Sequence, residues 1–132
     1  SSDVCSSDLA LLLDPSGEVV AQATNRREES GDPTAHAEVL ALREAAERMG
    51  TWRLAGCTLV VTLEPCPMCA GAAYLSRLRR VVFGAWNEDY GAAGSAWDLL
   101  RDRRLSHRPE VVGGVLADEC GEVVKEFFAS RR

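Results

Sequence analysis

Two short segments of the chain carry residue types that bind transition metals. His36 and Glu38 are separated by one residue, and Cys66 and Cys69 are separated by two. One imidazole and two thiolates form a donor set that suits zinc, and three protein ligands leave the fourth tetrahedral position open, as in catalytic zinc sites. The spacing therefore predicts a catalytic zinc bound by His36, Cys66 and Cys69. Glu38 is predicted to be a nearby free carboxylate that carries protons.

Two other interpretations of these residues remain open from the sequence. A Cys-x-x-Cys pair is also typical of redox proteins, in which Cys66 and Cys69 would form a reversible disulfide. A structural zinc would need a fourth ligand, and the candidates are Cys57, His107 and Cys120. These three residues are predicted to lie in a strand, in a loop and on the packed face of a helix, so each has another role in the fold.

The elements that must position the ligands follow from the hydrophobic pattern. Apolar and β-branched runs predict strands at residues 10–13, 18–23, 57–63, 81–85 and 110–116. Helices are predicted at residues 33–49, 67–78, 95–104 and 118–132. We expect Asp32 to cap the first helix, Pro33 to be its first helical residue, and Ser95 to cap the third.

The order of these elements predicts the fold class. The first two strands flank a turn and form a hairpin, whereas the later strands are separated by helices and are expected to be parallel. The prediction is an α/β protein with the three-layer α/β/α sandwich architecture. Its mixed five-stranded sheet carries helices on both faces.

Composition excludes several classes of protein. The 132 residues are 46% apolar and 27% charged, which is typical of one globular domain and not of a disordered chain. No apolar run approaches the ~20 residues of a membrane span, and the first residues lack a secretory pattern. We therefore expect a cytoplasmic protein without a membrane partner. The net charge of −5 argues against a uniformly RNA-coated surface but permits a local patch of arginines.

The two metal-binding motifs belong to longer segments that resemble a known family. His36-x-Glu38 and Pro65-Cys66-x-x-Cys69 are the signature of zinc-dependent nucleobase deaminases. Segments whose sequence resembles the bacterial tRNA-specific adenosine deaminase family lie at residues 32–38, 62–71, 80–85, 91–95, 107–111 and 114–120. The resemblance covers residues 10–132 and implies a cytidine deaminase-like fold.

This resemblance implies hydrolytic deamination of adenosine to inosine at the wobble position of a tRNA anticodon. One Zn²⁺ ion per subunit would activate water, and Glu38 would carry protons to the base and the leaving amine. The implied partners are a tRNA anticodon stem-loop and a second copy of the chain in a homodimer. The residues implied to contact substrate are Asn25, the backbone of Ala37, Asn87, His107, Arg108, Arg131 and Arg132.

Some of these residues also have a plainer interpretation. Asn25 follows a predicted strand, where an asparagine can stabilise its own turn instead of reading a base. A single arginine is equally typical of a solvated surface. Asn87 stands where many relatives carry Asp. We hypothesise that the loss of this negative charge raises tolerance of single-stranded DNA.

The start of the chain differs in character from the rest. Residues 4–9 back-translate to a string that resembles a sequencing-library adapter, and the relatives carry a helix before the first strand. We therefore expect residues 1–9 to be non-native. Residues 10–132 are expected to be a zinc-dependent deaminase domain that lacks its first helix.

Two competing functions remain open from the sequence. The first is a deaminase of a free nucleobase or nucleotide, namely guanine, cytosine or a cytidine compound. Asn25, the loop at 91–95 and the arginines at the end of the chain argue against it. The second is a catalytically silent RNA-binding module on the same fold, which would have no need of Glu38.

Overall fold

The computed structural model describes residues 9–115, which contain one mixed sheet. Its strands are β1 (Leu9–Leu13), β2 (Val19–Thr24), β3 (Thr58–Leu63), β4 (Arg80–Ala85) and β5 (Glu110–Val112). The order across the sheet is β2-β1-β3-β4-β5. Strand β1 is antiparallel to both of its neighbours, whereas β3, β4 and β5 are parallel. The predicted mixed five-stranded sheet is therefore confirmed.

The helices of the described part of the chain are α1 (Arg27–Ser30), α2 (Ala37–Met49) and α3 (Pro67–Leu75). Helix α2 packs on β1 and β2 and also contacts α3. Helix α3 is the crossover between the parallel strands β3 and β4. No helix within residues 9–115 is long and apolar enough to cross a membrane.

Two apolar clusters lie on opposite faces of the sheet because successive side chains of a strand alternate in direction. The larger cluster packs strand residues such as Ala10, Leu12 and Phe83 against α2 and α3. The smaller one contains Leu11 and Val60. The described residues thus show one helical layer of the predicted sandwich. The helix predicted at 118–132 lies outside them.

The first long helix begins later than predicted. Asp32 and Pro33 do not start it, since the Asp32 carboxylate accepts hydrogen bonds from the backbone N–H and the hydroxyl of Thr34 in a turn. His36 has an extended backbone, with φ −72° and ψ 149°, and α2 begins at Ala37. The prediction was wrong because the local Asp32–Thr34 turn satisfies the side chain that would have capped a helix.

Other boundaries also differ from the expectation. The predicted loop after β2 contains the single-turn helix α1. The helix predicted at 95–104 is reduced to one 3₁₀ turn, Leu99–Arg101. Strand β5 ends at Val112 instead of 116. At the other end, Leu9 is the first residue of β1, and residues 1–8 of the segment expected to be non-native lie outside the described part.

Candidate active site

The three predicted metal ligands meet beyond the carboxyl end of β3. His36 is the N-cap residue of α2, and Cys66 is the N-cap residue of α3. Cys69 lies in the first turn of α3, which starts with Pro67, whose fixed φ suits the first helical position. The start of a helix carries partial positive charge, which favours a thiolate there, and of the two cysteines it is Cys66 whose pKa is lowered.

The spacing of the donor atoms fits a tetrahedral zinc ion. The Sγ atoms of Cys66 and Cys69 lie 3.7 Å and 3.5 Å from Nδ1 of His36. Bonds of about 2.3 Å to sulfur and about 2.05 Å to nitrogen would place such atoms about 3.6 Å apart around zinc. All three donors lie within 4.8 Å of one another. The prediction that these residues can hold one metal ion is confirmed.

The two described candidates for a fourth ligand, Cys57 and His107, lie elsewhere. The thiol of Cys57 is buried and contacts the Met49 sulfur at 3.9 Å. Nε2 of His107 lies 2.7 Å from the carbonyl oxygen of Leu78, and Cys120 lies outside the described residues. Within residues 9–115 the metal-binding group therefore has three members, which leaves a coordination position for water or substrate.

A hydrogen bond between the two thiols links the pKa values of Cys66 and Cys69. A hydrogen bond from the Cys69 thiol lowers the pKa of Cys66 to about 5. The same hydrogen bond and burial raise the pKa of Cys69, and the neighbouring Glu38 carboxylate adds to that rise. Zinc held by both sulfur atoms would bind them as thiolates, and the proton of this hydrogen bond would be released.

Glu38 lies in the first turn of α2 and faces the same cavity as the metal ligands. The cavity has a volume of about 530 Å³, within the range of small-molecule sites. Its lining residues are Arg27, His36, Glu38, Leu63, Glu64, Cys66, Pro67, Asn87, Tyr90 and Trp97. The arrangement places one carboxylate beside the metal-binding group, as hydrolytic proton transfer requires.

A second carboxylate, Glu64, organises the wall of this cavity and was not predicted from the sequence. Its side chain is buried, and it accepts hydrogen bonds from the backbone N–H groups of Asn87, Ala93 and Ser95. The Ser95 hydroxyl is also hydrogen-bonded to it. Burial raises the pKa of Glu64, but these hydrogen bonds outweigh burial, so the pKa lies below its ordinary value. Glu64 therefore holds the loop at residues 87–95 as a carboxylate.

This role explains why Ser95 is not a helix cap. Its hydroxyl and its N–H both bind Glu64, 31 residues earlier in the chain. The only local signal for Glu64 was a charged residue directly after a buried, apolar strand, where an ionised side chain needs partners. That signal could have indicated a structural carboxylate, but the identity of its partners depends on the folded loop.

The mouth of the cavity is polar and aromatic. The Asn87 side-chain oxygen accepts a hydrogen bond from the Tyr90 N–H at 3.2 Å, which fixes the turn that carries Tyr90. Tyr90 and Trp97 are 65% and 54% exposed although they line the cavity. Exposed aromatic rings beside a pocket provide surfaces on which bases can stack.

Two predicted base contacts occupy different positions relative to the cavity. Ala37 is the first residue of α2, next to the ligand His36, and its N–H belongs to the turn whose donors have no helical partner. Asn25 is not among the cavity residues. Its side-chain oxygen accepts hydrogen bonds from N–H and Nε of Arg27, which is the turn-stabilising role of the alternative interpretation. The base contacts of both residues stay predictions.

Of the remaining predicted contacts, His107 and Arg108 are not brought to the metal site. His107 and Arg108 line another cleft, which contains Arg79 and Gly56 at the amino ends of the parallel strands. Arg131 and Arg132 lie outside the described residues. The family resemblance named these residues, but it did not place them in space.

Residues 9–85 match the cytidine and deoxycytidylate deaminase zinc-binding region. The chain is 51% identical over 124 residues to the tRNA-specific adenosine deaminase of Bacillus subtilis, covering 94% of this chain and 77% of that protein.

Two solved structures share the fold. One comes from work on A-to-I editing by tRNA:A34 deaminases at the wobble position of transfer RNA. Its TM-score is 0.77 at 41% identity, over 81% of this chain and 82% of that one. The other is the guanine deaminase of Nitrosomonas europaea, with a TM-score of 0.72 at 28% identity over 92% and 72% of the two chains. Together with the three-ligand metal site, these matches show that the chain belongs to the cytidine and deoxycytidylate deaminase zinc-binding family.

Proposed function

We propose that this protein converts adenosine to inosine at the wobble position of a tRNA anticodon by hydrolytic deamination. The observation that carries the proposal is the joint placement of Glu38, His36 and Cys66 around one cavity. This placement supports a hydrolytic deaminase. The identity of 51% to a tRNA-specific adenosine deaminase supports adenosine in tRNA as the substrate.

The chemistry requires one carboxylate to move protons between water and the base. Zinc, when bound, lowers the pKa of the hydrolytic water from about 15.7 to about 7. Glu38 accepts the proton that this water loses as its oxygen attacks the purine carbon bearing the amine. Glu38 donates this proton to the ring nitrogen, then takes the remaining proton of the newly attached hydroxyl and donates it to the leaving amine. Water is consumed, the carbon–nitrogen bond breaks, and inosine and ammonia are the products.

In this proposal the substrate is recognised by residues at and near the mouth of the cavity. An anticodon loop is single-stranded, so its base can turn into a pocket at a small unstacking cost. In our proposal the backbone N–H of Ala37 and the amide of Asn25 hold the purine, and Asn87 faces the adjoining backbone. Tyr90 and Trp97 stand at the mouth, where flanking bases would pass.

The proposed assembly is a homodimer formed along α3. Met68 and Leu75 lie two helical turns apart on one face of this helix and are 37% and 62% exposed. Exposed apolar residues on one helix face support a protein contact, and α3 also carries Cys69, so a partner would lie beside the active site. We place the enzyme in the cytoplasm because its proposed substrate is tRNA and its metal ligands include two thiols that need a reducing compartment.

A free purine is the second candidate substrate because the fold also resembles a guanine deaminase at 28% identity. The experiment that separates the two supplies the zinc-loaded protein with a tRNA anticodon stem-loop in one reaction and with free guanine in another. We expect inosine in the RNA and no ammonia from guanine. Ammonia from guanine without inosine in RNA would replace our proposal with the free-base function.

A further inference from the structure

A second cleft, far from the zinc site, concentrates positive charge. It has a volume of about 480 Å³ and lies among the loops that precede β3, β4 and β5. We call it the arginine cleft, and its charged lining residues are Arg53, Arg77, Arg79 and Arg108, with His107 beside them. No aspartate or glutamate lines it within the described part of the chain. A region without carboxylates is notable in a chain with a net charge of −5.

The arginines of this cleft form no ion pair with a carboxylate of residues 9–115. Five ion pairs exist among residues 9–115, and they involve Arg26, Arg48, Arg80, Arg101 and Arg104. None of these pairs includes an arginine of the cleft. Arg27, Arg43 and Arg103 also lie outside these pairs, but the cleft brings four unpaired arginines together, and their combined charge attracts an external anion.

Two of these guanidinium groups are held in place by aromatic rings instead. The Cζ atom of Arg53 lies 5.1 Å from the ring centroid of Trp52, and that of Arg77 lies 5.2 Å from the ring of Tyr74. Arg77 also donates a hydrogen bond to the carbonyl oxygen of Tyr74. Such contacts orient the forked donor group without cancelling its charge.

The backbone at Arg77 adds a further indication. Its φ is 64°. Among the described non-glycine residues, Arg77 is the one with a positive φ. Glycine is the usual residue at such a point after a helix because a side chain is unfavourable there. An arginine at this strained position costs more conformational energy than a glycine would. We therefore expect the side chain of Arg77 to have a functional role.

The cleft and the zinc site lie at opposite ends of the parallel strands. Cys66 follows the carboxyl end of β3, whereas Arg79 and Gly56 precede β4 and β3. A strand of six residues spans about 20 Å at about 3.3 Å per residue. A ligand that reaches from one site to the other is therefore longer than a nucleoside.

We infer that the arginine cleft binds phosphates of the RNA backbone outside the nucleotide that enters the active site. Guanidinium groups match phosphate oxygens in charge and in forked geometry, and RNA presents a row of such groups. The inference rests on the proposed function, since RNA is the substrate assigned there. It also gives His107 and Arg108 a location in a binding site, away from the zinc.

The test measures the affinity of the protein for fluorescently labelled tRNA over a range of salt concentrations. The cleft variant combines Arg53→Ala with Arg79→Ala. The matched control combines Arg43→Ala with Arg48→Ala on α2, which removes the same charge elsewhere. A third variant, Arg53→Lys with Arg79→Lys, keeps the charge and reports whether the cleft region still folds and binds.

We expect the Kd of the cleft variant to rise at least about tenfold at ~0.1 M salt, with a log–log salt slope smaller by about two. The α2 control should keep the wild-type slope, and the lysine variant should recover most of the slope. Equal changes in the cleft variant and the α2 control would overturn the inference. So would a cleft variant that loses binding of inorganic phosphate but keeps its affinity for tRNA.

The outcome can be separated from that of the proposed function. Inosine formation by the wild-type protein tests the proposed function, whereas the salt dependence of the Kd tests phosphate binding by the arginine cleft. If the protein forms no inosine but shows cleft-dependent tRNA binding, the substrate assignment fails and the cleft stands. If it forms inosine and the cleft variant binds tRNA like the wild type, only the cleft assignment fails.

Discussion

Gly91 packs directly against the carboxylate of Glu64. A Cβ atom at position 91 would lie 2.2 Å from Cδ of Glu64 and 2.5 Å from the carbonyl oxygen of Asn87. Both distances are shorter than van der Waals contact. The loop that carries Asn87, Tyr90 and Trp97 thus depends on a glycine whose missing side chain makes room for the carboxylate that holds it.

The first prediction concerns this contact. Gly91→Ala should displace the loop, since neither the buried carboxylate nor the backbone can move away cheaply, and should cost about 1–3 kcal/mol of stability. Activity on tRNA should fall while zinc content is retained. Gly71→Ala is the matched control because a Cβ at this position in α3 meets nothing within 4 Å, and it should be neutral or stabilising. Thermal unfolding and zinc analysis check both variants, and equal behaviour of the two would contradict the account.

The second prediction concerns the charge of Glu64. Glu64→Gln should destabilise the protein at pH 7 by about 2–3 kcal/mol, because an amide group would face backbone N–H donors that now bind a carboxylate. Urea unfolding of both proteins at several pH values measures the difference.

The pH dependence of this difference has a definite sign. The pKa of Glu64 in the folded protein lies below its ordinary value of 4.5. The carboxylate therefore contributes stability that is present above about pH 4.5 and is lost as the pH falls through the folded-state pKa. The gap between wild type and Glu64→Gln should shrink on acidification. A gap that is constant or widens towards low pH would show that Glu64 is not held as a carboxylate.

Glu64 also shows where prediction from the sequence ends. The metal-binding residues were predictable because the Cys-x-x-Cys spacing of Cys66 and Cys69, together with the imidazole of His36, is a donor set that suits zinc. The sheet was predictable because β3 and β4 are continuous apolar runs. The partners of Glu64 were not, since Ser95 lies 31 residues away and its local pattern favours a helix cap.

The predicted start of α2 was wrong for a related reason. Asp32 and Pro33 carry the local signal of a helix start. In the structure Asp32 accepts a hydrogen bond from Thr34 in a turn, and the helix begins at Ala37. Local signals of this kind compete with one another, and tertiary packing decides between them. The result matters for function because it makes His36 the residue at the helix start, beside Cys66.

The third prediction concerns the metal. Cys66→Ala should reduce bound zinc from about one equivalent to nearly none and should abolish deamination, because two protein ligands hold zinc far less well than three. Cys57→Ala is the control, since its thiol is buried beside Met49 and away from the site. Metal analysis of the purified proteins checks the prediction, and full zinc content in Cys66→Ala would exclude this residue as a ligand.

The fourth prediction concerns discrimination between RNA and DNA. Asn87→Asp keeps the oxygen that accepts the Tyr90 N–H, so the turn is preserved while one negative charge is added at the cavity mouth. We expect the ratio of rates on RNA and DNA hairpins to rise. Asn87→Ala, which removes the oxygen, reports the effect of losing the turn instead. An unchanged ratio of rates in Asn87→Asp would show that the charge at position 87 does not determine the discrimination between RNA and DNA.

The central claim is that Glu38 moves the proton in a zinc-dependent conversion of adenosine to inosine. The most direct measurement is inosine at the wobble position of tRNA after incubation with wild type and with Glu38→Ala, together with the zinc content of both proteins. The account predicts inosine with the wild type and a rate about 10²–10⁴ times lower with Glu38→Ala at full zinc content. An equal rate in the two proteins, or no inosine with zinc-loaded wild type, would contradict it.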